Sequence, residues 1–223
     1  MITVHHLDHS RSQRVLWLLE ELGLPYEIKS YQRDPRTMLA PPQLKAVHPL
    51  GKSPVITDDG VTVAESGAII EYLVGRYGQG RLAPASGTPG RMHYTYFLHY
   101  AEGSLMPIMV MTLVFNRIAS GPMPFFAKPI ARGIVGQVRK IFLGPQTKLH
   151  LEFLEGHLAR HTWFAGEEFS AADIQMSFPV EALFARGDAA SSYPKLAAYM
   201  QRYRAREAWQ RASAKGGPQG PLG

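Results

Sequence analysis

His9-Ser10-Arg11-Ser12-Gln13-Arg14-Val15-Leu16-Trp17 and, further on, Gly51-Lys52-Ser53-Pro54-Val55 leading to Glu65-Ser66-Gly67-Ala68-Ile69 are the stretches whose reading decides the fold. Each begins polar and turns apolar with a regular period. The first opens a helix, because Val15, Leu18, Leu19 and Leu22 recur at spacings of three and four. Gly23 is placed to cap that helix and Pro25 prevents its continuation. The second runs through strands Val55-Ile56 and Val61-Thr62-Val63, joined by the hairpin signal Asp58-Asp59-Gly60, into a helix carrying Ile69, Ile70, Leu73 and Tyr77. Both polar stations therefore end at helix N-termini, where unpaired N–H groups and the helix dipole attract anions.

Outward from these stretches, Ile2-Thr3-Val4 and the run Tyr26 to Tyr31 add strands on either side of the first helix, and Pro35, Pro41 and Pro42 mark a loop. Residues 1–80 thus read as an α/β domain. The Gly-, Pro- and Ser-rich stretch that ends at Gly90 makes 81–90 a linker. Residues 91–213 carry only helical periodicity, as in Leu151-Leu154-Leu158 and Leu196-Tyr199-Tyr203, and so read as an all-helical domain. Residues 214–223, with Gly216-Gly217-Pro218-Gln219-Gly220-Pro221, have no apolar surface to bury and read as a disordered tail.

Composition narrows the chemistry. The 223 residues are 45% hydrophobic, enough for buried cores, and the net charge of +6 favours anionic ligands. Arg202, Arg204, Arg206, Arg211 and Lys215 form the one basic cluster, but no nucleic-acid-binding signature accompanies it, so no nucleic-acid partner is expected. Cysteine is absent, so thiol chemistry requires a thiol brought by a ligand. The N-terminus lacks a secretory pattern, and the apolar run Leu105 to Phe115 falls short of the roughly 20 residues of a membrane span. No membrane and a cytoplasmic location are expected. His157 and His161 share a helix face at the four-residue spacing of zinc helices, but no acid lies between them and no metal site is expected.

The chain resembles the cytosolic glutathione transferase family, in particular its serine-type, bacterial-like members, from Ile2 to about Ala212. The resemblance rests on Ser10 to Trp17, on His48-Pro49-Leu50-Gly51-Lys52-Ser53-Pro54-Val55, on Glu65 to Leu73 and on Phe169-Ser170-Ala171-Ala172-Asp173-Ile174, in family order and spacing. It implies a thioredoxin-like N-terminal domain followed by an all-α C-terminal domain, glutathione as cosubstrate, a homodimer and a role in detoxification. It also implies that Ser170-Ala171-Ala172-Asp173, a capping box with Asp at its end, is a buried folding signal. Pro179 within that helix is expected to kink it.

The residues then acquire roles. A cis peptide at Ser53-Pro54 would reconcile proline with the strand that follows and turn the Ser53 backbone toward a ligand. In relatives that residue pairs with the cysteinyl backbone of glutathione. Glu65 suits the γ-glutamyl ammonium, Ser66 its carboxylate and Lys52 the glycine carboxylate. As local signals alone, Ser66 is also a helix cap and Lys52 a solvated loop cation.

Serine-type members place the thiol-facing hydroxyl four residues before an arginine, and counting back from Arg14 gives Ser10 as the catalytic residue. Ser12 is the competitor, with a plain alternative role as helix cap, and Arg11 adds positive potential near the sulfur. Lowering a thiol pKa near 8.5 by about two takes roughly 2.7 kcal/mol, within reach of a hydroxyl hydrogen bond plus a helix dipole. Tyr96, Tyr100, Met106, Met109 and Met111 offer a wall for a small hydrophobic electrophile, or equally a helix core. The same activated sulfur permits peroxidase, disulfide reductase or isomerase chemistry, and a non-catalytic interaction protein on this fold is the third reading.

Overall fold

The computed structural model of the chain describes residues 1–184 and 189–217. Strand β1 (Ile2–Leu7), helix α1 (Ser12–Leu22) and strand β2 (Tyr26–Tyr31) form a parallel unit, with Ile2 opposite Tyr26 and Leu7 opposite Tyr31. A short helix, α2 (Gln43–Val47), closes the proline-rich loop. The hairpin β3 (Val55–Asp58) and β4 (Val61–Ala64) then adds antiparallel strands, giving the order β2-β1-β3-β4 before helix α3 (Ser66–Tyr77). Asp59 and Gly60 both take positive φ, 45° and 86°, as a two-residue hairpin turn demands. Gly23 caps α1 at φ 69°.

Side-chain alternation along β1 decides what each face meets. Ile2 and Val4 point into the main core beneath α1 and α3, whereas Leu7 joins Tyr31 and Leu44 in a smaller cluster on the other face. His6, in step with Ile2 and Val4, faces α1; His5 faces Tyr31, whose hydroxyl lies 2.9 Å from its Nδ1.

Beyond the first domain lie α4 (Pro89–Tyr100), α5 (Met106–Ser120), α6 (Ala127–Val138), α7 (Gly144–Leu158), α8 (Ala171–Phe184), α9 (Ala189–Ser192), α10 (Pro194–Arg204) and α11 (Glu207–Gly216). Thr88 caps α4 by accepting the Arg91 N–H at 3.2 Å. One turn of π-helix, Ala101–Leu105, joins α4 to α5, and another, Arg139–Leu143, joins α6 to α7. Each is followed by a proline, Pro107 or Pro145, and the widened turn accommodates a residue that has no N–H to offer.

As a result Pro89–Ser120 is one continuous helix of 32 residues, long and apolar enough to cross a membrane by length and composition, where the interrupted run Leu105 to Phe115 had suggested nothing of that length. Of its most apolar window, 44% is buried inside the protein.

Two expectations about the helical half are met differently from the sequence pattern. Helix α11 runs through Gly216, so residues 214–216, placed in the tail by composition, are helical and packed on α1; residues 218–223 lie outside the described set. A Cβ on Gly216 would collide with Gln13, so glycine here permits close approach. The basic cluster is spent internally: Arg206 pairs with Glu21, Arg211 and Lys215 with Glu20, and Arg204 with Glu181, while Arg202 donates to the Thr162 carbonyl.

The Ser170–Asp173 box holds the start of α8. Asp173 accepts from the N–H groups of Phe164 and Ser170, both at 2.9 Å, and from the Ser170 hydroxyl at 3.1 Å. Burial nevertheless pushes its carboxyl up to about 7, with those donors opposing. Tyr100, Met106 and Met109 are buried in the same core and Tyr96 is exposed, so the wall expected for an electrophile is here mostly helix core.

Candidate functional site

Helix α1 is buried all round, with the sheet beneath it and α11 and α8 against its other faces, and this forces its polar first turn to find partners inside the protein. Ser12, Gln13 and Arg14 are all essentially inaccessible. Ser12 does not cap the helix: the cap position is Arg11, and the Ser12 N–H is taken by the Ser10 hydroxyl at 3.2 Å. The Ser12 hydroxyl is instead a link in a buried chain, 2.8 Å from His6 Nδ1 and 2.7 Å from Ser10 Oγ.

The protons of this chain have a determined direction. His6 Nε2 lies 3.0 Å from the Gly216 carbonyl, which can only accept, so Nε2 carries the hydrogen. Burial pushes the His6 pKa below its usual range, against the Gly216 carbonyl and Asp8, and the ring is neutral. Nδ1 then accepts from Ser12, which lies 2.8 Å from it against 3.4 Å from the Leu7 carbonyl, and the Ser12 oxygen in turn accepts the single proton of Ser10. Ser10 itself is 8% exposed, and Ser53 Oγ lies 3.4 Å from it while donating to the His5 carbonyl at 3.0 Å. The Ser53–Pro54 peptide is cis, as the sequence predicts, and Pro54 is buried.

Arg14 ties this station to the second. Its guanidinium, inaccessible to solvent, donates to Ser66 Oγ at 3.0 Å, to Glu102 at 2.5 Å and to the Gln175 carbonyl at 2.7 Å. Pro179 has no N–H for the carbonyl four residues earlier, and that carbonyl is Gln175's. The proline in α8 thus frees an acceptor that a charged side chain from the other domain fills. Ser66, buried at 3% exposure, begins α3 but caps nothing with its side chain; its oxygen accepts from Arg14 and its own proton remains to be donated.

The other sequence candidates sit around these. Glu65 is exposed at φ 73°, ψ 127°, a backbone region that ordinary residues avoid. Lys52 is exposed and makes no hydrogen bond or ion pair among the described residues. Arg11 lies 3.5 Å from Glu102, which Arg14 also engages, so much of its charge is balanced by an acid. Ser10 and Ser53 therefore form one pair and Arg14 and Ser66 another, both anchored at the first turn of α1, and Lys52, Glu65 and Arg11 lie next to them in the chain. His6, Glu102, Gln175 and Gly216 were missed by sequence reasoning. The even position of His6 on β1 signals that it faces α1, but the other three reach the cluster only through tertiary folding.

The histidine pair has a neighbour that the sequence pattern did not show. His157 and His161 are joined by His93 from α4, and one nitrogen from each ring lies within 4.8 Å of the others. No spacing within α7 reveals a third histidine on a neighbouring helix.

Known proteins share both halves of this arrangement. Residues 10–75 match the sequence profile of the glutathione S-transferase N-terminal domain, and residues 143–207 that of its C-terminal domain. Glutathione S-transferase 3 of Schizosaccharomyces pombe is 43% identical over 81% of this chain and 73% of its own length. Glutathione S-transferase 1 of Saccharomyces cerevisiae is 32% identical over 96% and 95%. A crystal structure of a glutathione S-transferase from Actinobacillus pleuropneumoniae superposes with a TM-score of 0.79 at 33% identity, covering 98% of this chain and 94% of that one. With its thioredoxin-like sheet, its helical second domain and its similarity to these enzymes over nearly its whole length, the chain belongs to the glutathione S-transferase family and is a glutathione transferase.

Proposed function

We propose that the Ser10 hydroxyl stabilises the glutathione thiolate for attack on a small hydrophobic electrophile. The observation that carries this reading is the position of Ser10: just before α1 and 3.4 Å from Ser53, while Arg14, in the first turn of the same helix, holds Ser66 at the start of α3. A tripeptide held by the Ser53 backbone on one side and the α3 N-terminus on the other would present its sulfur near Ser10. Ser66 still has a proton and a backbone N–H for the γ-glutamyl carboxylate, Glu65 supplies a counter-charge for the ammonium, and exposed Lys52 one for the glycine carboxylate. Pro54 fixes the turn that presents the Ser53 backbone.

In this reading the reaction forms the carbon–sulfur bond to the electrophile as its leaving group departs or its double bond takes up a proton. The thiol proton is released before attack, so no general base is required. Ser10 touches the reacting sulfur; Ser12 and His6 act on it through Ser10. A homodimer is part of the proposal, supported by exposed apolar side chains on α4 and α5, Met92, Tyr96, Val110, Val114 and Ile118. Soluble, cytoplasmic detoxification fits the same reading.

The test is conjugation of glutathione to a chlorinated nitrobenzene by wild type and Ser10→Ala, with retention on immobilised glutathione as the binding control. Ser10→Ala should bind glutathione nearly as well and conjugate it much more slowly, because the hydroxyl acts on the ionised sulfur. Unchanged turnover would remove Ser10 from the mechanism.

A further inference from the structure

Away from the Ser10 cluster, three imidazoles converge between two helices. His93 comes from the first half of α4, His157 from the last turn of α7 and His161 from just beyond it; their ring centroids are 5.3, 5.3 and 4.7 Å apart. His93 lies nine residues before Glu102 on the same continuous helix, about 13 Å along its axis, so the cluster is separate from the proposed glutathione site.

A hydrogen bond prepares one ring as a ligand, and a carboxylate beyond hydrogen-bond distance faces a second. The buried His157 donates from Nε2 to the Phe164 carbonyl at 3.1 Å, which leaves the lone pair on Nδ1. Phe164 is itself anchored, its N–H held by Asp173. His161 places Nδ1 3.8 Å from Glu167, and the Thr162 hydroxyl steadies that carboxylate at 2.6 Å; a proton on Nδ1 leaves Nε2 to bind. A backbone carbonyl on one histidine and a carboxylate on another are the partners that metal-ligating histidines commonly have.

From this convergence we infer that His93, His157 and His161 bind one divalent transition-metal ion between α4 and α7, with Zn2+ the ion of choice. Three neutral nitrogens with no thiolate suit Zn2+ in tetrahedral geometry, and bonds of about 2.0–2.1 Å set the nitrogens roughly 3.3 Å apart. One nitrogen of each ring already lies within 4.8 Å of the others, and the rings would have to turn and draw together on binding. His161, at 30% exposure, marks the open side, where water completes the coordination. The ion would pin the start of α4 to the end of α7.

The test uses full-length protein free of any histidine tag, without glutathione, whose thiol binds zinc. Calorimetric titration with ZnCl2 should show one ion per chain with Kd of about 1 µM or tighter, and CoCl2 should give the visible band of a tetrahedral site. His93→Ala and His161→Ala should each weaken binding by at least about tenfold. His99→Ala, exposed on the same helix, should bind as wild type does. Zn2+ should raise the melting temperature of wild type but not of His93→Ala, a comparison that also reports whether the variant folds. No binding to wild type, or unchanged affinity in folded His93→Ala and His161→Ala, would overturn the site.

Discussion

Replacing Ser12 by alanine should make the bound glutathione thiol more acidic, the opposite of what Ser10→Ala does, and the difference in sign separates the two serines. The Ser10 hydroxyl has one proton, and in the free protein it points to Ser12 Oγ at 2.7 Å, because Ser12 gives its own proton to His6. A hydrogen bond to a charged sulfur is worth about 1.5–3 kcal/mol, but the neutral bond it displaces is worth about 0.5–1.5, leaving about 1.2 kcal/mol net. At 1.36 kcal/mol for each pKa step this lowers the thiol by about 0.9, and the α1 dipole adds about 0.3–1 kcal/mol. The sequence-level figure of about two therefore overestimates the effect, since it ignores the competitor.

Without the Ser12 hydroxyl only the more distant Ser53 Oγ, at 3.4 Å, competes for the Ser10 proton, and the thiol should fall by a further ~0.7 at most. Ser10 stays in place, because the Ser12 backbone N–H still donates to it at 3.2 Å. The same change strands His6 Nδ1, so folding stability should drop by about 1–3 kcal/mol. The assay is a pH titration of the ultraviolet absorbance of bound thiolate in wild type, Ser10→Ala and Ser12→Ala. A rise of the thiol pKa in Ser12→Ala with none in Ser10→Ala would refute the reasoning and transfer the role to Ser12.

Three further outcomes are expected. Arg14→Met orphans the Gln175 carbonyl and leaves Glu102 without its buried partner, at a cost of about 3–5 kcal/mol by denaturant unfolding. Adding Pro179→Ala, which restores an N–H for Gln175, should recover about 1 kcal/mol of it, and no recovery would show that the carbonyl was not the issue. Against burial, hydrogen bonds from Lys215, Arg211 and Tyr26 hold Glu20 at about 2 rather than the ordinary 4.5. A depressed acid stabilises the fold above its unfolded pKa, so that contribution should fade as pH drops from 4.5 toward 2, with a shallower loss in Glu20→Gln by acid unfolding. Glu65→Gly should raise stability by about 1 kcal/mol by relieving the φ of 73°, while KM for glutathione rises about tenfold or more through loss of the ammonium partner; an unchanged KM would remove Glu65 from the site.

Much of this architecture is written in local sequence, because the relevant physics is local. Residue spacing in α1, Gly23 at its end, the Asp59-Gly60 turn and the Ser170–Asp173 box each depend on a few neighbouring residues, and their periods and dihedral demands can be read directly. Ser10, Ser53 and Ser66 were legible as polar residues at helix and strand starts. What the sequence could not determine is who partners whom across the chain. Ser12 reads as a cap until the packing of α11 on α1 brings Gly216 to His6 and fixes the direction of every proton between them. Ser66 reads as a cap until Arg14 reaches it, and Arg14 is anchored by a carbonyl that Pro179 frees from another domain. The third histidine beside His157 and His161 likewise lies on a different helix. These are contacts between residues far apart in sequence, and the chain brings them together only when burial of its apolar faces sets the helices against one another.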